Sequence, residues 1–307
     1  MTVPRQSVHV DSPTERRNPR TARIDTLPTV DVLRLINAED RLVPDAVRDA
    51  LPQLGVAVDL AVAALSSGRG VHYVGAGTSG RLATLDAAEL RPTFDVPDGW
   101  FAVHHAGGDR ALRDAVEDAE DDEAAGADAM ATVRPGDFVL GLTASGRTPF
   151  VLGALAAAHD RGASTALVSN NPNTSQPGWL DVLVVVDTGP EAIAGSTRMK
   201  AGTAQKLVLT SFSTAVMVRM GRTYENLMVS LRATNAKLRG RTLRILREAT
   251  GLTQQECSTA LTEAHGDLKV AMVHLLSGAE IRRAAAALDS SHGHVRAALG
   301  LLNAHAV

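Results

Sequence analysis

Apolar residues between positions 71 and 186 fall into five short runs: Val71–Val74, Trp100–Val103, Asp137–Leu142, Ser164–Ser169 and Val182–Val186. Between them the spacing turns helical near Arg81–Leu90, Asp109–Met130 and Pro149–Arg161, with a short turn around Asn173. Short, mostly apolar strands alternating with helices predict an α/β fold with a parallel sheet covered on both faces. Ligands of such sheets sit beyond the C-terminal ends of the strands.

Upstream, Thr29–Ser66 is helical in pattern. Val32, Leu35 and Ile36 share a face, followed by Val47, Leu51, Leu54, Val58, Val62 and Leu65, with Pro44 and Gly68 as punctuation. Residues 1 to about 22 are polar and rich in Arg, Pro and Ser, which predicts a segment that is flexible or lies across a neighbour. Downstream, Ala201–Met220 reads as one long helix, followed by a basic helical stretch to about residue 250. That stretch carries six arginines and one lysine, spread round the helix and interrupted by Glu225, Asn226 and Asn235, as on a solvated face. The tail repeats itself: Ala260-Leu261, Gly266, Leu268-Lys269 and Ala271 recur 27 residues later as Ala287-Leu288, Gly293, Val295-Arg296 and Ala298. Helix–glycine turn–helix units of this size predict a small helical module over 246–307. Its His265, His274, His292, His294 and His305 lack metal-binding spacing.

Composition narrows the function. The chain has 307 residues, enough for one large α/β domain plus a small one. Aromatics are 3% and hydrophobic residues 45%, so the core is built mainly from Ala, Val and Leu. A net charge of −3 supplies no global field for nucleic acid or an anionic membrane. The single Cys257 excludes an intramolecular disulfide and a four-cysteine metal site. No apolar run approaches the roughly 20 residues that span a bilayer. The N-terminal residues lack a signal-peptide core, and a cytoplasmic protein is expected.

The candidate chemistry begins at Val71–Phe94, VHYVGAGTSGRLATLDAAELRPTF. A strand runs into the loop Gly75-Ala76-Gly77-Thr78-Ser79-Gly80 and then into a helix. That order brings backbone N–H groups, hydroxyls and the positive helix end together for an anion. The loop fits G-x-G-x-x-G by spacing. However, the next strand ends in His104-His105 rather than a ribose-binding acid, and the Lys-Ser/Thr of a P-loop is missing. One phosphate suits it better than two or three. The loop also has an echo: YVGAGTSGR at 73–81 and VLGLTASGR at 139–147 share their length, a glycine and a Ser-Gly-Arg. Two such turns in one sheet are placed to face one pocket. A third hydroxyl-rich junction is Gly195-Ser196-Thr197-Arg198-Met199-Lys200.

Without an HExxH, a cysteine cluster or a convincing Ser-His-Asp order, carboxylates remain as acid–base candidates. Glu89 lies in an alanine-rich helix end, where partial desolvation is expected to raise its pKa. In Asp109–Ala125 the residues Leu112, Ala115, Val116 and Ala119 mark the buried face of the predicted helix. Glu117, Asp118, Asp121 and Asp122 point away from it, and periodicity leaves Glu120 and Glu123 open as alternatives. Glu191, before the third hydroxyl turn, is a further candidate.

The chain resembles the N-acetylmuramic acid 6-phosphate etherases, which carry a sugar isomerase (SIS) domain. The resemblance is borne by ERRNPRTARIDTLPTVDVL, INAEDRLVPDAV, GAGTSGRLATLDAAELRPTF, ASGRTPFV, GSTRMKAGTAQKLVLTSFST and NLMVSLRATNAKL. It implies a SIS-type three-layer sandwich over 23–245 and a UBA-like C-terminal module. It also implies cleavage of the D-lactyl ether of N-acetylmuramate 6-phosphate by elimination and hydration, as a homodimer and without metal or redox cofactor. Matched by position, Glu89 is the acid that assists lactate departure, and Glu120 the second catalytic carboxylate. Gly77, Thr78, Ser79, Ser145, Arg147 and Thr148 would hold phosphate and sugar, and Ser196, Arg198 and Lys200 would line the remainder. Where the family usually has Asp-Ala-Ser-Glu-Cys-Pro-Pro, this chain has Asp86-Ala87-Ala88-Glu89-Leu90-Arg91-Pro92, which alters the surroundings of the acid. Two other functions share the phosphate turns: a non-catalytic sugar-phosphate sensor, and a sugar-phosphate isomerase with Glu191 as base.

Overall fold

The structure, a computed structural model, describes residues 12–114, 116–231 and 236–304, so Ala115, Asn235 and His305 lie outside it. Three 3-10 turns (Pro13–Glu15, Pro19–Thr21, Ile24–Thr26) lead into α1 (Thr29–Asp40), α2 (Val43–Asp49) and α3 (Leu51–Ser66). The helical pattern of 29–66 is thus three helices, because Pro44 and Pro52 each sit in a first turn, where a missing N–H is tolerated. Then follow β1 (Val71–Gly75), α4 (Gly77–Phe94), β2 (Phe101–His105), α5 (Glu123–Ala129), β3 (Phe138–Thr143), α6 (Pro149–Asp160), β4 (Ser164–Ser169), β5 (Val182–Val185) and α7 (Lys200–Arg219). The chain continues through the short pair β6 (Thr223–Tyr224) and β7 (Leu227–Met228). It ends in α8 (Ala236–Thr250), α9 (Gln254–Glu263), α10 (Leu268–Ser277), α11 (Ile281–Ser290) and α12 (Val295–Ala304).

All five apolar runs are strands of one sheet, ordered β2-β1-β3-β4-β5 and parallel throughout. Successive side chains alternate between its faces. Val74 and Val139 join Phe150, Val151 and Leu155 of α6 in one buried cluster. Tyr73 turns the other way, against Phe101 and Phe212, and Phe138 stacks on Phe212 with ring centroids 5.8 Å apart. The order reverses direction at β1 and β3, and that switch point opens a crevice at their C-terminal ends.

The continuous helix expected over Asp109–Met130 is not formed. Residues 108–112 and 119–121 are 3-10 turns, and α5 begins only at Glu123. Asp118 has φ 63°, a left-handed conformation that interrupts a helix, and it stands in a run of acids that repel one another. Where α5 does form, it meets α6 backbone to backbone. A Cβ on Gly126 would lie 2.0 Å from Phe150 O, and one on Gly153 would lie 2.3 Å from Glu123 O.

The N-terminal segment is packed where the structure describes it. From residue 12 onward Ser12, Thr14, Asn18 and Thr21 are buried, and Thr21 Oγ1 donates to Ala192 O at 2.8 Å. The chain forms two compact units. One comprises the residues through Ala87 with Gly99–Ser213, and the other Ala88–Asp98 with the residues from Thr214. The boundary expected after residue 245 falls inside α8. Within the second unit the 27-residue repeat is visible as two helix–turn–helix pairs. His265-Gly266 and His292-Gly293 all adopt positive φ, and Gly266 and Gly293 donate to Leu261 O and Leu288 O, each at 2.8 Å. Both are helix-ending turns of the Schellman type.

Candidate active site

The turn after β1 is shaped by glycines whose Cβ positions are already occupied by neighbouring atoms. A Cβ on Gly75 would lie 2.7 Å from Gly80 N, and one on Gly80 would lie 2.2 Å from the His105 ring. With β1 pressed against α4 in this way, α4 starts at Gly77 and its first amides stand free of intrahelical partners. His105 supports the loop: its Nε2 is 3.2 Å from Gly77 O and its Nδ1 2.8 Å from Ala106 O.

The echo turn after β3 is held by hydroxyls. Thr143 Oγ1 lies 2.7 Å from Thr148 Oγ1 and 3.3 Å from Ser145 Oγ, and accepts the Gly146 N–H at 3.2 Å. Ser145 Oγ accepts the Arg147 N–H, and Asn171 Nδ2 donates to Ser145 O at 2.9 Å. Gly146 has φ 76° and packs where a Cβ would meet Thr174 Oγ1 at 2.0 Å. The turn is therefore preorganised by its own side chains and by the strand beside it.

Both turns open on one cavity of about 460 Å³. Gly77, Thr78 and Ser79 line it from α4, and Ser145, Arg147 and Thr148 from the echo turn. Glu120 and Asp121 line it as well, so of the two acids that periodicity left open the cavity takes Glu120; Glu123 instead opens α5. Arg81 fixes the approach to that acidic segment by donating to Ala111 O at 2.7 Å, Leu112 O at 3.2 Å and Asp114 O at 3.1 Å. The lining combines hydroxyls, backbone amides and Arg147 with the carboxylates of Glu15, Glu120 and Asp121.

Several expected site residues lie elsewhere. Lys200 is fully buried, with its Nζ 2.8 Å from Glu39 Oε2, and does not line the cavity. Glu191 is also fully buried and accepts the Lys200 and Ala201 amides at 2.8 and 2.9 Å, closing the N-terminus of α7. Burial pushes its carboxyl up, opposed by those two amides. Ser196 and Arg198 flank Thr197, and it is Thr197 and Gly195 that reach the cavity wall. Glu89 is exposed, contrary to the expected desolvation, and is absent from the cavity lining. The wall also contains Thr14 and Glu15, which the polar composition of their segment concealed.

A parallel 2-1-3-4-5 sheet with hydroxyl-rich turns around a cavity at its switch point is the arrangement of a SIS-type domain. Residues 54–159 match the glucokinase regulatory protein N-terminal SIS domain. Over 268 residues the chain is 58% identical to N-acetylmuramic acid 6-phosphate etherase of Thermobifida fusca, with 87% of this chain and 88% of that one covered. Identity to the etherase of Mesorhizobium japonicum is 47% over 287 residues, covering 93% and 94%. The chain belongs to the N-acetylmuramic acid 6-phosphate etherase family. Among solved structures, phosphoheptose isomerase of Francisella tularensis superposes with a TM-score of 0.47 at 20% identity, over 62% of this chain and 98% of that one.

Proposed function

We propose that this chain cleaves the D-lactyl ether of N-acetylmuramate 6-phosphate, giving N-acetylglucosamine 6-phosphate and D-lactate, as a carbon–oxygen lyase of cell-wall amino-sugar recycling. The observation that carries the reading is Glu120 lining the same cavity as the two hydroxyl-rich turns. Phosphate at Thr78, Ser79, Ser145, Arg147 and Thr148 leaves the sugar carbons facing a carboxylate.

In the open-chain sugar the C1 aldehyde acidifies the C2 proton. Glu120 takes that proton, the electron pair forms the C2–C3 double bond, and the C3–O bond breaks as an acid protonates the lactate oxygen. Water then adds at C3 of the unsaturated aldehyde and C2 is reprotonated. The steps are redox-neutral, and general acid–base groups suffice. An isomerase reading with Glu191 as base is disfavoured, since that carboxylate is buried and occupied by two amides. A non-catalytic sensor would have no use for Glu120 beside the phosphate turns.

The acid is Glu89 in this reading. It stands nine residues (89 − 80) past Gly80 on α4, about 14 Å along the axis at the α-helical rise. That is longer than an open-chain hexose from its phosphate to C3. This reading requires a homodimer in which Glu89 of one copy serves the cavity of the other. A phosphorylated sugar is retained inside the cell, so the reading carries a cytoplasmic location. Incubation of the pure, folded protein with N-acetylmuramate 6-phosphate tests the activity: release of D-lactate is expected, and its absence would refute the reading.

A further inference from the structure

The segment 12–21 is fastened beside the cavity by a buried ion cluster. Glu39, 3% exposed, accepts from Asn18 Nδ2 at 2.8 Å, Arg20 Nη2 at 2.9 Å and Lys200 Nζ at 2.8 Å. Asn18 also donates to Pro190 O, Thr21 to Ala192 O, and the Gly195 amide to Thr14 O at 2.9 Å. A carboxylate left half-paired in such a place would be costly, so the cluster fixes the segment as a unit. Its product is the placement of Thr14 and Glu15 in the cavity wall. The Glu15 carboxylate lies over Gly195, where a Cβ would come within 3.1 Å of Oε2. Among the described residues no side chain donates to it.

We infer that this N-terminal strap is part of the substrate site, with Glu15 accepting hydrogen bonds from the hydroxyl end of the sugar while the serine-rich turns take the phosphate. Charge sets the polarity. A phosphate dianion is repelled by Glu15, Glu120 and Asp121 and drawn to Arg147 and the amides of α4, whereas a carboxylate is a strong acceptor for sugar hydroxyls. Glu15 is thus a specificity residue that favours a polyhydroxylated chain of the right length over phosphate alone by binding its hydroxyls. Asn18, Arg20, Glu39 and Lys200 are positioning residues for it. The inference rests on the sugar-phosphate reading of the cavity.

The test is the binding of N-acetylglucosamine 6-phosphate and of inorganic phosphate to the full chain and to Glu15→Gln, by calorimetry, with lactate release alongside. Glu15→Gln keeps the shape of an exposed side chain, so folding is retained. Loss of one bond to a charged acceptor predicts roughly 10- to 100-fold weaker sugar-phosphate binding and a matching rise in KM, with kcat retained and phosphate binding unchanged. Asn18→Ala is expected to move KM in the same direction through the strap alone. Unchanged sugar-phosphate binding would overturn the inference, as would tighter phosphate binding without a change for the sugar phosphate. A fall in kcat at constant KM would overturn it too, by giving Glu15 to the chemistry. If the wild-type protein releases no lactate but binds the sugar phosphate in a Glu15-dependent way, the etherase reading fails and the strap stands.

Discussion

Tyr73 Oη donates to Asp86 Oδ2 at 3.1 Å, while Ser213 Oγ donates to the other oxygen of that carboxylate at 3.1 Å. The three residues tie β1, α4 and α7 together. Burial raises the Asp86 carboxyl above its usual range, against the opposing pull of its two hydroxyl donors, and raises the Tyr73 phenol well above its own. The folded protein therefore holds the Asp86 proton to higher pH than the unfolded chain does. The contribution of this group to stability is largest below its unfolded pKa and declines as pH rises through the folded one. Asp86→Asn is expected to lose that decline, so that its melting temperature gains on the wild type as pH rises above the ordinary aspartate value of about 4. Tyr73→Phe removes one donor and is expected to cost about 1 kcal/mol at any of these pH values. Melting curves across a pH series check both.

The glycines of the loop offer a sharper contrast. Gly80→Ala would place a methyl 2.2 Å from the His105 ring and 2.7 Å from Gly75 O, so either β1 or α4 must move. A cost of about 1–3 kcal/mol is expected, together with loss of inorganic phosphate binding. Gly55→Ala, inside α3 with nothing within 4 Å of its Cβ, is expected to stabilise by about 0.5–1 kcal/mol through helix propensity. Equal effects at the two positions, measured by chemical denaturation, would sink the close-packing account.

These elements were not equally legible in the sequence. The strands were, because a doubly covered parallel sheet writes itself as short apolar runs, and so were the two Ser-Gly-Arg turns at strand ends. Asp109–Met130 misled because its apolar spacing is helical while Asp118 in a left-handed conformation and mutual acid repulsion are not visible as period. Lys200 and Glu191 looked like site residues for the same reason that they are structural ones: charged groups beside hydroxyls and glycines serve a ligand or a helix end equally well. Thr14 and Glu15 were hidden in a polar stretch, and what recruits them is the buried Glu39, a long-range partner that periodicity cannot show.

That buried acid has a pH signature opposite to that of Asp86. The Arg20 guanidinium, with Lys200 and Asn18, outweighs burial and holds the Glu39 carboxyl down at about 2. A depressed carboxyl contributes stability above its unfolded pKa, and that contribution is lost as pH falls from about 4.5 toward 2. The strap is expected to loosen over that window, read as loss of hydrogen-exchange protection at the amides of residues 14–21, corrected for intrinsic exchange, as pH is lowered from 4.5 toward 2. Glu39→Gln leaves the buried Lys200 ammonium without its counter-charge and is expected to cost about 3–5 kcal/mol at neutral pH. A variant that melts with the wild type would show that the cluster does not hold the segment.

The two proposed catalytic carboxylates can be separated by what each variant still does. Glu120→Gln keeps the phosphate turns and is expected to bind N-acetylglucosamine 6-phosphate normally while slowing lactate release by about 10²–10⁴-fold, together with exchange of the C2 proton into solvent. Glu89→Ala should slow lactate release more than C2 exchange, since the acid acts on the departing oxygen after the base has engaged. If Glu89 serves the cavity of a second copy, two inactive variants repair each other. Mixing Glu89→Ala with Glu120→Gln through unfolding and refolding makes mixed dimers in which one site of the two has both carboxylates intact. Activity regained on mixing, and absent from either variant refolded alone, is the expected result. No regain from demonstrably mixed dimers would place both carboxylates in one chain's site and remove the requirement for the second copy.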